Sequence, residues 1–405
     1  MNEWVNKYLG FLGPVDYSDA KPKIDLILLG AVFLLLAVGT VEMFSSGAVE
    51  GLRKHGDPYH FLKRHVIFLA VGLFALYVGT RLPLRLLERA TYPLLGGALL
   101  LLLGVLLFGR EINGARRWFW IGPLSFQPVE VAKFSLICYL AHSLHKKADK
   151  VRLFTVGFVP HLLVCMLMMV LLLRQPDLGS SLLLGGITLT LLFIAGAKAS
   201  YLLLSILAAA PLAYLIIVGT WRVQRLLAYL NPEAYRDGAA YQIIQSRIAF
   251  GSGGPWGVGL GQGRQTLGYM PEAHSDFIMA SLGEELGFMG FAFVLGLFAL
   301  IAWRGSRAAL RGQTPFAALL AFGLTVSLCY QAIFNVSAVL GLIPAKGITM
   351  PFMSYGGTSL SVSLFFIGLI LNVGRRQPTV KKKKKPSTTE FARRRKKRAT
   401  FVCDS

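Results

Sequence analysis

Asp276 is the residue of this chain best placed to act as a base. It lies in PEAHSDFIMASLGEELG (Pro271–Gly287), where a long polar segment rich in Arg and aromatic residues meets an apolar run. A carboxylate there can take the proton of a substrate hydroxyl that comes within hydrogen-bond reach. The plainer role is structural: Pro271 and the polar run mark a helix start, and Ser275 or Asp276 would serve as its N-cap. His274, two residues earlier, is a weaker candidate base. On a regular helix Glu284 would sit roughly 12 Å further along the axis, with Glu285 facing away from Asp276. A paired-carboxylate glycosidase site within this helix is therefore not expected. The two glutamates should instead support or line a buried cavity.

A second acid is set beside a base. Glu130 and Lys133 are three residues apart at the start of an apolar segment, so a helix puts them on one face and lets them pair. They are either a structural ion pair or the lining of a polar cavity, because ionisable groups at membrane depth are costly unless they are used. Arg116, Arg117, Arg174, Arg247 and Lys346 lie in polar stretches, together with Arg110, Arg222, Arg225, Arg236 and Arg264. Singly each reads as a solvated loop charge; as a group they suit a diphosphate, which guanidinium grips through paired hydrogen bonds. Trp118, with Phe119 and Trp120, is either an interfacial anchor or a stacking face for a sugar. The glycine run GSGGPWGVGLGQG (Gly251–Gly263) has the spacing of neither nucleotide fingerprint, and its glycines instead allow close backbone packing. QPDLG (Gln175–Gly179) and PFMSYGGTSL (Pro351–Leu360) read as polar turns of the kind tolerated at depth where they line a cavity. No ligand set for a dedicated metal site is visible, which leaves open a divalent cation (Mg or Mn) bound along with a diphosphate.

These residues are positioned by membrane helices. The 405-residue chain is 54% hydrophobic and only 15% charged, and apolar runs recur from Ile24 to Asn372. An all-α polytopic membrane protein follows. About 20 apolar residues per span predict ten helices, near 24–45, 60–79, 91–108, 128–145, 154–173, 180–196, 199–219, 275–302, 314–336 and 354–373. An even number places both termini on one side, and the distribution of Lys and Arg makes that side cytoplasmic. Arg53, Lys54, Lys63 and Arg64, in the first outer loop, are exceptions to the charge rule. Two non-helical stretches then face outward: Arg110–Gln127 and a long loop over 220–274, in which Tyr241–Phe250 reads as an amphipathic surface helix. A cytoplasmic segment over 1–23 precedes the membrane domain at 24–376. Residues 377–405 form a basic, low-complexity tail. From Arg375 onward there are 13 Lys and Arg against Glu390 and Asp404, so much of the formal net charge of +22 is local. A nucleic-acid partner is not expected; the tail suits anionic lipid. Cys138, Cys165 and Cys329 lie in apolar segments and Cys403 in the tail, which supports no disulfide framework.

The order NGARRWFWIGPLSFQPVEVAK, RQPDLGSS, YQIIQSRIAFGSGGPWGVGLGQGRQTLGYMPEAHSDFIMASLGEELGFMG and LIPAKGITMPFMSYGGTSL resembles the SEDS family of bacterial shape, elongation, division and sporulation proteins. The likeness runs from about Asp25 to Arg376, and GVGLGQGRQTLGYMPEAH and GLIPAKGITMPFMSYGG are more like the division branch than the elongation branch. The resemblance implies a peptidoglycan glycosyltransferase at the outer face of the bacterial cytoplasmic membrane. Such an enzyme polymerises lipid II into β-1,4 glycan and releases undecaprenyl diphosphate. It further implies that the family's essential aspartate falls on Asp276, its helix acid and lysine on Glu130 and Lys133, and its Arg-Trp stretch on Arg117 and Trp118. The implied partners are a class B penicillin-binding protein transpeptidase and division-complex activators at the septum. HSDF stands where HTDF is commoner, and QPVE where QPSE is commoner; neither change touches a proposed reacting group. Competing readings are a lipid II flippase, to which a buried ion pair and broken helix ends are suited, a non-catalytic division scaffold, and a polymerase of the elongation branch.

Overall fold

A computed structural model of the chain describes residues 24–112, 114–122, 124–217, 222–238, 240–265, 269–270, 273–344 and 347–375. The expected segments over 1–23 and 377–405, and Lys346, lie outside the described residues. In chain order the helices are α1 (Leu26–His55), α2 (His60–Arg81), α3 (Leu84–Arg89), α4 (Thr91–Phe108), α5 (Pro128–Lys146), α6 (Val159–Arg174), α7 (Leu178–Ile194), α8 (Ala199–Ile217) and α9 (Arg222–Leu230). They continue as α10 (Tyr241–Gly253), α11 (Ile278–Glu285), α12 (Gly287–Leu310), α13 (Pro315–Val339) and α14 (Thr358–Arg375). Seven helical stretches among the described residues are long and apolar enough to cross a membrane. Leu178–Ile194 and Ala199–Pro211 are shorter apolar helices.

α5, α13 and α14 form the centre. Nearly every residue of α5 from Pro128 to Leu144 is buried, and Lys133 and Ser143 reach polar groups on neighbouring helices instead of lipid. α2 and α4 instead expose Phe74, Leu100 and Phe108. α14 packs closely along α2 because glycines remove the side chains between them. A Cβ on Gly368 would lie 2.3 Å from the Leu76 carbonyl oxygen, and one on Gly79 would lie 2.8 Å from that of Phe365. Asn372 then donates from Nδ2 to the Gly79 and Leu82 carbonyls at 3.0 and 2.7 Å, satisfying acceptors that the end of α2 leaves without helical partners.

The structure revises the sequence expectations in three places. Arg110–Phe126 is not simple loop: it forms a three-stranded antiparallel meander, so the chain is not purely helical. Its strands are β1 (Arg110–Ile112), β2 (Ala115–Ile121) and β3 (Leu124–Phe126), with Arg110 opposite Trp118 and Phe119 opposite Phe126. The helix expected over 275–302 is broken. Residues 273–277 are turns, α11 begins at Ile278, and a second break separates α11 from α12 at Leu286. The glycine run repairs that break. Val258 and Gly259 donate to the Glu284 and Glu285 carbonyls at 3.0 Å each, while Phe288 and Met289 donate to the Gly254 and Pro255 carbonyls at 2.9 and 3.1 Å. A Cβ on Gly257 would lie 2.1 Å from the Glu285 carbonyl oxygen, and Gly257 itself has φ of 83°, a conformation that side chains disfavour. Finally, the expected surface helix at Tyr241–Phe250 extends to Gly253 and is packed into the protein. Ile243, Ser246, Ala249 and Gly253 are buried, and Ser246 donates to the Val339 carbonyl at 2.6 Å.

Candidate active site

A cavity of about 640 Å³ opens among α1, α2, the β-meander, α5, α7, α13 and the turns at 274–276 and 347–357, a volume within the range of ligand sites. Asp276, Arg117, Trp118, Glu130 and Lys133 all stand on its wall. The chain brings these together from segments that are far apart in sequence.

Asp276 is half-buried in the turn before α11. It is not the N-cap: that place is taken by Phe277, which makes no side-chain cap bond. The turn is held by its own carbonyls. Tyr355 N–H donates to His274 O at 3.0 Å, Ser354 Oγ to Ser275 O at 2.5 Å, and Asn335 Nδ2 to Asp276 O at 2.8 Å. Asn335 also donates to Ile348 O at 2.7 Å, which joins the turn to the segment opposite. Beside it, Gly347 leaves room for the carboxylate: a Cβ there would lie 3.0 Å from Asp276 Oδ2.

One turn earlier on the same face of α13 is Gln331, an i, i+4 relationship that projects both amides toward the site. Its Oε1 accepts from Lys133 Nζ at 2.9 Å, and its Nε2 donates to Thr349 O and Ser359 Oγ at 3.1 Å each. Lys133 Nζ also lies 2.7 Å from Glu130 Oε2, with both side chains almost wholly buried. The i, i+3 pairing expected on α5 is therefore present. It stands on the cavity wall and also binds α5 to α13, so both of the roles left open are compatible with its placement.

Arg117 projects from β2 to the QPDLG turn, donating from Nε to Gln175 O at 3.0 Å and from Nη2 to Pro176 O at 2.6 Å. Arg225, on α9, is electrostatically linked to the same corner. Desolvation and then the charge of Arg117 push its guanidinium pKa down, while Asp276 pulls it up. Tyr355 lines the other side, its phenol pushed up by burial and drawn down by the nearby Arg64.

Other expected residues lie elsewhere. Arg116 forms an exposed pair with Glu111 at 3.4 Å. Arg174 and Arg247 are exposed and off the cavity wall. Glu284 is buried but does not line the cavity. Its carboxylate accepts the Gln265 N–H at 3.1 and 3.2 Å, and Ser252 Oγ lies 3.4 Å away; it secures the long loop. Glu285 does the same through Gly261 N–H at 3.0 Å and Ser45 Oγ at 2.6 Å. Among the described residues, no group of three or more His, Cys, Asp or Glu side chains could hold a metal ion.

The wall that sequence reasoning missed comes from α1 and α2: Glu50, Lys54, His55, His60 and Arg64. Lys54 and Arg64 were visible as exceptions to the charge rule, and that departure was the available signal. A charge that violates topology statistics has another reason to be where it is.

A sequence model of the cell cycle protein family that covers FtsW, RodA and SpoVE matches residues 26–379. A probable peptidoglycan glycosyltransferase FtsW of Trichlorobacter lovleyi is 42% identical over 352 residues, covering 86% of this chain and 92% of the relative. Another, from Coxiella burnetii, is 40% identical over 346 residues, covering 84% and 93%. Among solved structures, a chain from a peptidoglycan synthase complex, described as coordinating polymerization and crosslinking, superposes with a TM-score of 0.74 and 32% identity, covering 87% of this chain and 98% of that one. The rod shape determining protein RodA of Thermus thermophilus does so with a TM-score of 0.65 and 32% identity, covering 87% and 97%.

Proposed function

The chain belongs to the cell cycle protein family of FtsW, RodA and SpoVE, and from that premise we propose that it is the peptidoglycan glycosyltransferase of cell division, polymerising lipid II into glycan strands. The observation that carries the reading is that Asp276 opens into the same cavity as Arg117, Trp118 and Lys133. A lipid-linked sugar needs an apolar approach between helices, cations for its diphosphate, and a base for the hydroxyl that attacks. The cations and the base meet in this cavity.

Asp276 accepts the proton of the 4-hydroxyl on the acceptor lipid II. That oxygen attacks C1 of the donor glycan with inversion, the bond from C1 to the diphosphate oxygen breaks, and undecaprenyl diphosphate leaves. Charge accumulates on the departing diphosphate, so fixed cations facing it lower the barrier; Arg117 and Arg64 are the guanidinium groups on the wall. A divalent cation used in the reaction would be held chiefly by diphosphate oxygens, because the described side chains form no metal cage.

The wider arrangement is ten membrane spans with both termini in the cytoplasm and the cavity facing outward, in the inner membrane at the septum. The shorter helices α7 and α8 and the buried, polar α5 complete the count. The superposition on a chain of a complex that couples polymerization to crosslinking supports a class B penicillin-binding protein as partner, with division activators acting on the pair. The basic tail contacts anionic lipid.

Polymerisation from purified lipid II in detergent, with the partner present, tests the reading. Asp276→Asn and Asp276→Ala should lower the rate by about 10² to 10⁴, the usual worth of a general base. Unchanged polymerisation by these variants would remove Asp276 as the base. Absence of polymerisation by the wild type would instead favour transport or scaffolding.

A further inference from the structure

Glu50 and His274 stand on the cavity wall without a role in the chemistry above. We propose that they form a positioning couple for Asp276, in which the Glu50 carboxylate fixes the His274 ring and thereby the aim of the turn that carries the base. The proposal rests on Asp276 being that base.

Three backbone bonds hold turn 273–277 from one side, from Asn335 on α13 and from Ser354 and Tyr355. On the other side the turn meets α1 and α2 through the His274 ring. That ring is buried, with its centroid 4.3 Å from that of Phe61 and 5.6 Å from that of Tyr355. Its Nδ1 lies 3.2 Å from Glu50 Oε2. Packing against Phe61 and Tyr355 confines the ring to a slot. The Glu50 carboxylate beside Nδ1 makes a close electrostatic contact, short of a directed hydrogen bond, and holds that edge of the ring toward α1. Lys54, one helical turn beyond Glu50, pairs with the same carboxylate and keeps it from swinging away. α1 faces the turn at Gly47: a Cβ there would lie in ordinary van der Waals contact, 3.5 Å, with His274 Cβ.

His274 and Asp276 are two residues apart in the turn that precedes α11, so displacement of the ring is passed to the carboxylate through two peptide units. A general base must lie within hydrogen-bond distance of its hydroxyl, and misplacement by about 1 Å costs on the order of 10² in rate. Glu50 therefore acts on the turnover step through His274 and not on substrate affinity.

The experiment measures lipid II polymerisation kinetics by the full-length protein with its transpeptidase partner. The variants are Glu50→Ala, Glu50→Gln, Glu50→Leu, His274→Ala, the Glu50→Ala/His274→Ala double variant and Asp276→Asn. Glu50→Ala and His274→Ala should each lower kcat by roughly 10- to 100-fold with KM within about twofold of wild type. The double variant should be no worse than His274→Ala, because residues acting as one unit are not additive. Glu50→Gln, which keeps a hydrogen-bonding oxygen, should recover most of the rate, and Glu50→Leu should not. Wild-type kcat in Glu50→Ala, a loss confined to KM, or losses that multiply in the double variant would overturn the couple. If Glu50→Ala does not fold, the Gln and Leu variants decide: equal rates for the two would overturn it. Normal polymerisation by Asp276→Asn would instead sink the assignment of the base itself. An inactive Asp276→Asn beside a fully active Glu50→Ala would sink only the positioning role.

Discussion

Removing the charge of Lys133 while keeping its length, as Lys133→Met does, should destabilise the protein strongly, and the size of the effect follows from what is left behind. Lys133 Nζ lies 2.7 Å from Glu130 Oε2 and 2.9 Å from Gln331 Oε1, with the two charged side chains 4% and 6% exposed. In Lys133→Met the Glu130 carboxylate stays buried without its counter-charge, and Gln331 loses a donor. Breaking a buried pair from one side costs about 3–5 kcal/mol, equivalent to a fall of roughly 10² to 10⁴ in the folded-to-unfolded ratio. Glu130→Gln/Lys133→Met carries no buried charge and should recover most of that loss, since neutral replacement of a whole pair is often tolerated. Thermal unfolding in detergent, followed by fluorescence and by recovery of monodisperse protein, measures both variants. Polymerisation by the double variant then separates the two roles of the pair. Activity returning with stability means the pair only joins α5 to α13; a stable but inactive double variant means the charge of Lys133 serves the substrate. Wild-type stability in Lys133→Met, or a double variant as unstable as the single one, would refute the argument from buried charge.

Gly347→Ala should place a methyl group 3.0 Å from Asp276 Oδ2. The carboxylate must then yield by a few tenths of an ångström, so polymerisation should fall several-fold with little change in melting temperature, at about 10² per ångström of misplacement. Gly253→Ala should act on folding instead, because its Cβ would fall 2.0 Å from the Gly283 carbonyl oxygen in the α10–α11 contact; reduced yield and early melting of the purified protein would show it. Deleting the residues after Arg376 should leave polymerisation unchanged in correctly inserted protein, since no proposed reacting group lies beyond it. Lost activity in such a truncation would contradict that.

Much of this protein could be read from the order of its residues. Runs of apolar residues of spanning length identify a membrane protein with no need of tertiary information, because each such segment satisfies its backbone internally and is matched to lipid one by one. The i, i+3 spacing of Glu130 and Lys133 was enough to pair them, because a helix sets that distance locally. Asp276 stood out because a carboxylate at the edge of an apolar run needs a reason. The resemblance carried, in order, by NGARRWFWIGPLSFQPVEVAK, RQPDLGSS, the stretch from Tyr241 to Gly290 and LIPAKGITMPFMSYGGTSL then pointed to the family.

Tertiary structure decided the rest, and the reason lies in how membrane helices are written. Their sequences are apolar on every side, so periodicity does not reveal which face of α1 or α2 turns inward. That Glu50, Lys54 and Arg64 close a cavity begun by Asp276 and Arg117 depends on contacts across more than 200 residues. The fate of the cations was equally hidden: Arg117 is held at the cavity by the Gln175 and Pro176 carbonyls, whereas Arg116, its neighbour, pairs with Glu111 outside. The break at Leu286 could not be foreseen from α11 and α12 alone, because the backbone groups it releases are satisfied by a glycine segment some 30 residues earlier. Local chemistry named the candidate base, but only the packing of distant helices showed what faces it.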